Sequence, residues 1–497
     1  MSGDTIGQRA SSTAGGRATL QALLPSALAA LFLVAVLVSV MLGPAHGPYA
    51  AVVVCAAVVG GYMALNVGAN DVANNMGPAV GANALTLGSA LVIAAICEAA
   101  GALLAGGDVV STISRGIVRP DEALDIAHFI LVMLASLLAA ALWIHLATFL
   151  GAPVSTTHSI VGGVLGAGVA SSGLDIVSWP TVGAITASWI VSPVLGGIGA
   201  ALLLAFIRRT VIKQANRVQA ARRWVPLLVA LMSGVFAAYL ATKGLSRVWR
   251  PGAATVVLLS AATFAAAWLL ARPWVRHMSA GSGNRRNDLN HLFILPLVIA
   301  AALLSFAHGA NDVANAVGPL AAIVAAAQAG HTASGNIGIP FWVMAIGAIG
   351  LAVGLGLFGP RVIRTVGKQI TKLDPVRAYC VALSAAGTVL VASALGLPVS
   401  STHIAVGGIF GVGFVREAWR NKGIPNPAVQ PRTRFLKVSA LNKTPEEAVL
   451  RYQTRERRRL VRRQHVLGIV ATWVVTLPAT SLLAGLLLVA MRTAFIP

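Results

Sequence analysis

Apolar residues occur in long unbroken runs, with the polar residues gathered between them, and most runs approach the roughly 20 residues that a helix needs to cross a bilayer. They fall near 20–43, 49–67, 84–106, 128–150, 180–207, 224–243, 252–271, 290–307, 340–358, 378–396 and 466–492. Two further stretches, 152–170 and 397–415, are shorter, rich in glycine and interrupted by Ser, Thr and His. They are expected to be broken or hairpin-forming segments. Nothing shows the ten-residue alternation of a membrane β-barrel. The pattern therefore predicts an all-α integral membrane protein with about 12–13 membrane-crossing segments.

An internal repeat organises these elements. Gly68-Ala-Asn-Asp-Val-Ala-Asn74 returns as Gly309-Ala-Asn-Asp-Val-Ala-Asn315, and each copy follows an apolar run and leads into Gly-Pro. Gly151-Ala-Pro-Val-Ser-Thr-Thr-His158 returns as Gly396-Leu-Pro-Val-Ser-Ser-Thr-His403, with Gly-Gly shortly after each. The offset is 241 residues for the first motif and 245 for the second. The division that follows is an N-terminal tail and extra helix at 1–48, one repeat at 49–207, a linker with two helices at 208–289, and a second repeat at 290–492 containing a basic loop at 416–465. The first apolar run is read as a retained helix rather than a cleaved signal.

Charge adds orientation. Only 10% of residues are charged, 57% are apolar and the mean hydropathy is +0.80, against about 25% charged in a soluble domain. The formal net charge is nevertheless +22. In the first repeat the loop 107–127 holds Asp108, Asp121, Glu122 and Asp125 against Arg115 and Arg119, whereas its counterpart 359–377 holds Arg361, Arg364, Lys368, Lys372 and Arg377 against Asp374. The loop 171–179 has Asp175 and no base, and its counterpart runs through the basic stretch 416–465. The positive-inside rule places equivalent loops on opposite sides of the membrane, so the repeats are expected to have inverted topology. The basic loops 208–223 and 272–289 then lie in the cytoplasm with the N-terminus, and 243–251, with Lys243, Arg247 and Arg250, violates the rule. The positive excess thus belongs to cytoplasmic loops of an inner-membrane protein rather than to nucleic-acid binding. Residues 416–465 set topology or hold anionic membrane lipid. Cys55, Cys97 and Cys380 lie far apart inside apolar runs and are packing residues, not a disulfide framework or metal cluster.

Inverted repeats with discontinuous helices are the signature of secondary transporters, which bind substrate at the repeat interface near mid-membrane. Asn70, Asp71, Asn74, Asn311, Asp312 and Asn315 supply hard oxygen donors suited to Na⁺, or aspartates that carry a proton; the surrounding glycines favour an unwound backbone. The alternative is tight inter-helix packing. Pro153 and Pro398 are placed to open new helices, so that Ser155, Thr156, Thr157, Ser400, Ser401 and Thr402 fall at helix N-termini. There, free backbone N–H groups and hydroxyls form an anion site without a base. His158 and His403 donate to substrate, relay a proton or pack inside their helices. His308, opposite Val67 in the repeat, is structural or modulatory. Glu98 is a coupling-ion or proton site, or pairs with a backbone donor. No nucleophile-elbow or metalloprotease signature accompanies Ser155 and His158, which argues against an enzyme.

The paired Gly-Ala-Asn-Asp-Val-Ala-Asn and Pro-Val-Ser-(Thr/Ser)-Thr-His motifs resemble those of the inorganic phosphate transporter (PiT) family, over nearly all of 49–492. The resemblance implies two inverted repeats, each with a helical hairpin, that bind inorganic phosphate between them and couple its import to Na⁺ or H⁺. In that arrangement Ser155 to Thr157 and Ser400 to Thr402 contact phosphate, Asn70, Asp71, Asn311 and Asp312 serve cations and substrate, and no cofactor is needed. A homo-oligomer is compatible with it. The family also includes sulfate permeases, and both sulfate and a metal–phosphate complex remain alternative substrates.

Overall fold

A computed structural model describes residues 4–119, 125–150, 154–245, 249–283, 285–330, 338–369, 373–421 and 463–495. The helices are α1 (Asp4–Leu42), α2 (Ala50–Gly81), α3 (Leu87–Ala105), the short α4 (Gly107–Ser111), α5 (Ile126–Leu150), α6 (Thr156–Ser172), α7 (Trp179–Ile207), α8 (Arg217–Tyr239), α9 (Ala253–Met278), the short α10 (Arg286–Leu292), α11 (Ile294–Ala329), α12 (Phe341–Gln369), α13 (Pro375–Ala394), α14 (Ser401–Asn421) and α15 (Arg463–Phe495). Among the described residues, 11 helices are long and apolar enough to span a membrane, and they match the runs read from the sequence.

The two glycine-rich segments are α6 and α14, the second arms of hairpins. Residues 117–119, just before α5, pair with 176–178, just after α6: Arg119 N donates to Ile176 O at 2.9 Å and Ser178 N to Ile117 O at 2.9 Å. The α5–α6 pair therefore returns to the side it left. The same holds for α13–α14, because Asp374 and Arg377 at its start share a groove with Arg416 and Trp419 at its end. Since each returning arm cancels the one before it, the hairpins add no net crossing, and the expected 12–13 crossing segments are too many. A 29-residue helix, α7, about 43 Å long at 1.5 Å per residue, starts beside the base of the first hairpin. It ends at Arg208, which lines the groove at the base of the second.

Packing is exchanged between the repeats: α2 lies against α12, α11 against α3, α6 against α15 and α14 against α7. The motif glycines permit the first two contacts. A Cβ on Gly68 would stand 2.1 Å from the Leu351 carbonyl oxygen, and one on Gly309 would stand 2.0 Å from that of Glu98. This corrects the expectation of an unwound backbone, because α2 and α11 run as helix straight through both Asn-Asp motifs. Glycine serves there to bring two backbones into contact, not to break a helix.

The linker helices α8 and α9 pack on each other at the edge of the bundle. The outer face of α9 exposes Val257, Leu258, Leu269 and Leu270, as a lipid-facing helix does. Lys243 forms an ion pair with Asp108 at 2.9 Å, which places the loop that violates the charge rule on the same side as the acidic loop of the first repeat. Asp121, Glu122, Gly151, Pro153, Arg247, Lys372 and the arginines between 455 and 462 lie outside the described residues.

Candidate functional site

The two aspartates occupy matching positions in the middle of α2 and α11, and both are fully buried. Each receives hydroxyl donors from both hairpin tips. Thr156 Oγ1 donates to Asp71 Oδ2 at 3.0 Å, and Thr402 Oγ1 donates to Asp71 Oδ1 at 3.2 Å. In the counterpart set, Ser401 Oγ donates to Asp312 Oδ2 at 2.9 Å and Thr157 Oγ1 stands 3.5 Å from Asp312 Oδ1. Under the 245-residue offset, Thr156 corresponds to Ser401 and Thr157 to Thr402, so each aspartate takes one hydroxyl from its own repeat and one from the other.

The asparagines repeat the pattern. Asn74 Nδ2 donates to Asp71 Oδ1 at 3.2 Å and to Thr402 Oγ1 at 2.7 Å. Asn315 Nδ2 reaches Asp312 Oδ1 at 3.0 Å and Thr156 and Thr157 Oγ1 at 3.2 Å each. Asn70 and Asn311 instead secure the ends of the first hairpin arms. Asn70 donates to Thr148 at 3.0 Å, and Asn311 donates to its counterpart Ser393 at 3.0 Å while accepting from Val399 N at 3.1 Å. Asn74 and Asn315 thus bond their own aspartates, whereas Asn70 and Asn311 tie the tips down.

Thr156 and Ser401 are the first residues of α6 and α14, so two helix N-termini converge on the aspartates, where backbone amides and dipoles favour negative charge. Pro398 does not open α14; it lies in the irregular segment ahead of it. Ser155 and Ser400 do not reach the aspartates in the hydrogen bonds described. They accept from the amides of His158 and His403 at 3.2 and 3.4 Å, which is the capping use of serine.

The motif histidines meet each other. Their ring centroids lie 4.7 Å apart, His158 stacks on Trp189 at 3.8 Å, and its Nδ1 is 2.6 Å from Ser155 Oγ. Trp189, which the sequence reading did not single out, donates from Nε1 to Pro398 O at 3.1 Å. It thereby braces the tip of the second hairpin from a helix of the first repeat.

His308 has a larger part than its sequence position suggested. It is fully buried, with Nε2 3.0 Å from Asp312 Oδ2 and 3.7 Å from Asp71 Oδ2, so a single imidazole bridges both motif carboxylates. Asp71, His308 and Asp312 offer three ligand atoms within 4.8 Å of one another, and Asn315 Oδ1 is buried nearby without a hydrogen-bond partner. The His308 Nδ1 edge faces Glu98 Oε2 at 3.3 Å, and Glu98 Oε1 accepts from Asn75 Nδ2 at 2.8 Å. Glu98 therefore pairs with the side chains of His308 and Asn75 rather than with a backbone donor.

This triad breaks the repeat. The equivalents of Asn75 and His308 are Ala316 and Val67. The contacts of Gly68 with Leu351 and of Gly309 with Glu98 make Leu351 the counterpart of Glu98. One helix crossing is thus apolar, and its partner carries a buried His–Glu–Asn chain leading to the aspartates.

The sequence profile of the Phosphate transporter family matches residues 67–484. A protein of Helicobacter pylori strain J99 named as a phosphate permease is 43% identical, with 94% of each chain covered. One of Pyrococcus abyssi strain GE5, also named as a phosphate permease, is 38% identical over 72% of this chain and 88% of its own. A solved structure described as the sodium-dependent phosphate transporter superposes with a TM-score of 0.76 at 32% identity, covering 89% of this chain and 99% of that one.

Proposed function

This chain belongs to the phosphate transporter family, and from that premise we propose that it imports inorganic phosphate across a bacterial inner membrane by symport with Na⁺. The observation that carries the proposal is the pairing of Asp71 and Asp312 with the N-termini of both hairpin tips, through Thr156, Thr402, Ser401 and Thr157. Anion-favouring helix ends and two carboxylates occupy one buried place, and an anion enters such a place only together with cations that neutralise the carboxylates. The phosphate sits between the tips and is held by hydroxyls and backbone amides. The Asp71 and Asp312 carboxylates and the unpaired oxygen of Asn315 hold Na⁺ beside it. No Lys or Arg takes part in these contacts, so binding stays weak enough for release.

The driving force requires this coupling. Moving each negative charge into a cell with a negative interior costs about 2.3 kcal/mol per 100 mV, so uncoupled uptake runs backwards. Co-bound cations reverse the sign of the moved charge.

Inverted repeats fit the same reading. The bases of the two hairpins lie at opposite ends of α7, the basic base faces the cytoplasm with the N-terminus, and the two tips meet in the middle. Rocking of the tips then exposes the site to either side in turn.

Labelled-phosphate uptake into proteoliposomes under separate Na⁺ and proton gradients tests the proposal, with sulfate and arsenate as competitors. The expected result is accumulation driven by the Na⁺ gradient, inhibited by arsenate and not by sulfate. Absence of Na⁺-driven accumulation would overturn it.

A further inference from the structure

At the base of the second hairpin, away from the aspartates, lies a groove of about 470 Å³ whose lining includes Arg208, Arg217, Asp374, Arg377, Arg416 and Trp419. Five segments build it: the end of α7 and the turn that follows, the start of α8, the short α10, the start of α13 and the end of α14. Four guanidinium groups and one carboxylate line it, a formal charge of +3. That carboxylate is already engaged. Asp374 pairs with Arg377 at 2.8 Å, with both side chains largely buried, and it also caps α13 by accepting from Arg377 N at 3.0 Å.

Arg208 and Arg217 are held in place. The Arg208 guanidinium lies 3.9 Å above the Trp419 ring, and Arg217 Nε donates to Ile212 O at 3.0 Å. Such fixing lowers the entropy cost of binding a ligand there. Planar guanidinium groups match phosphate oxygens in pairs, and a basic pocket between membrane helices at the cytoplasmic surface is suited to an acidic lipid headgroup.

We propose that this groove binds the headgroup phosphate of an anionic phospholipid from the cytoplasmic leaflet. The same chemistry would suit free phosphate in the cytosol, but the surroundings favour lipid. Within two turns of the groove's arginines, on the side away from the helix ends, α7 exposes Leu202 and Phe206 and α14 exposes Phe414. These side chains give acyl chains a surface that a free ion has no use for, and the Trp419 ring lies at the level where aromatic side chains meet headgroups. The bound lipid joins the linker to both arms of the second hairpin, so it bears on the part of the molecule whose tip carries Ser401 and Thr402.

Native mass spectrometry of the full-length protein, equilibrated with equal amounts of phosphatidylglycerol and phosphatidylcholine, tests this. The expected result is preferential retention of phosphatidylglycerol, and a roughly tenfold to thirtyfold loss of that preference in the Arg208→Gln, Arg416→Gln double variant, since each basic residue near an acidic lipid surface is worth about a factor of five. Arg250→Gln, on the opposite side of the membrane, leaves the preference unchanged. Equal retention of the two lipids by the unmodified protein would overturn the proposal whether or not the double variant folds. So would displacement of phosphatidylglycerol by millimolar inorganic phosphate, which would make the groove a site for the free ion. Phosphate uptake does not enter these readouts, so a failure of the transport assay leaves them interpretable.

Discussion

Thr402 and Asp71 are 331 residues apart in the chain and 3.2 Å apart in space, joined by a hydrogen bond from hydroxyl to carboxylate. Neither repeat holds its own aspartate alone. The site is a product of the two halves together, and its symmetry makes several outcomes calculable.

Replacing either carboxylate removes a buried charge and its charge-assisted hydrogen bonds, each worth about 1.5–3 kcal/mol. Asp71→Asn and Asp312→Asn are each expected to lower Na⁺-driven phosphate uptake by roughly tenfold to a hundredfold. Initial rates in proteoliposomes measured across a range of Na⁺ concentrations check this. Unchanged Na⁺ dependence in both variants would remove the aspartates from coupling.

The hydroxyl set predicts matched pairs of effects. Thr402→Val deletes the hydroxyl that the second repeat donates to Asp71, and Thr157→Val deletes one that stands 3.5 Å from Asp312 while donating to Val399 O at 3.0 Å. Each is expected to raise the KM for phosphate by roughly fivefold to tenfold, as loss of a hydrogen bond of about 1 kcal/mol or slightly more implies. Thr402→Val should be the more severe, because its bond to Asp71 is the shorter and Asn74 also donates to its oxygen at 2.7 Å. A larger effect from Thr157→Val would contradict this ordering.

The Asn75–Glu98–His308 chain separates stability from transport. Glu98→Leu alone strands two buried polar groups and is expected to cost about 3–5 kcal/mol. The triple variant Asn75→Ala, Glu98→Leu, His308→Val copies the apolar crossing of the other repeat. It should melt between Glu98→Leu and the unmodified protein, since exchanging the Asn75–Glu98 pair for packed apolar residues is often neutral, while Asp71 and Asp312 lose the imidazole between them. Its uptake should nevertheless fall, because His308 bridges Asp71 and Asp312. Melting curves in detergent together with uptake rates distinguish the two effects; a triple variant less stable than Glu98→Leu would refute the comparison.

A methyl group at the helix crossings should be severe. Gly68→Ala and Gly309→Ala place a Cβ against a backbone carbonyl that has no room to yield, and the aspartate lies three residues further on in each case. Both are expected to reduce the yield of folded protein and lower its melting temperature by several degrees, as a destabilisation of a few kcal/mol does. Gly387→Ala, where a Cβ meets nothing within 4 Å, is the control and should have little effect.

Much of this was legible in the sequence because duplication marks it. The run lengths located the spanning helices, the repeated motifs located Asp71, Asp312 and the hydroxyl residues, and loop charge grouped the segments that build the arginine groove. What stayed hidden depends on contacts between repeats. Glycine beside asparagine reads locally as a weak helix, and only the approach of Leu351 and Glu98 explains why it remains one. Trp189 carries no motif, and its role appears only once α7 is seen against the second hairpin tip. His308 and Glu98 did leave a signal: aligning the two halves and asking where a polar residue faces an apolar counterpart finds His308 against Val67 and Asn75 against Ala316. Reading that mismatch as structural or modulatory left out the His308 imidazole's place between both aspartates.

The exchanged packing of α2 on α12 and of α6 on α15 also sets an order of assembly during synthesis. When the first repeat has entered the membrane, the face of Gly68 has no partner, the α6 surface is bare and Asp71 lacks the hydroxyl of Thr402. Nothing in the first half of the polypeptide completes any of these contacts. The nascent protein must hold Asp71 in the bilayer without that hydroxyl until α14 has been made, and the α6 surface stays uncovered until α15 follows.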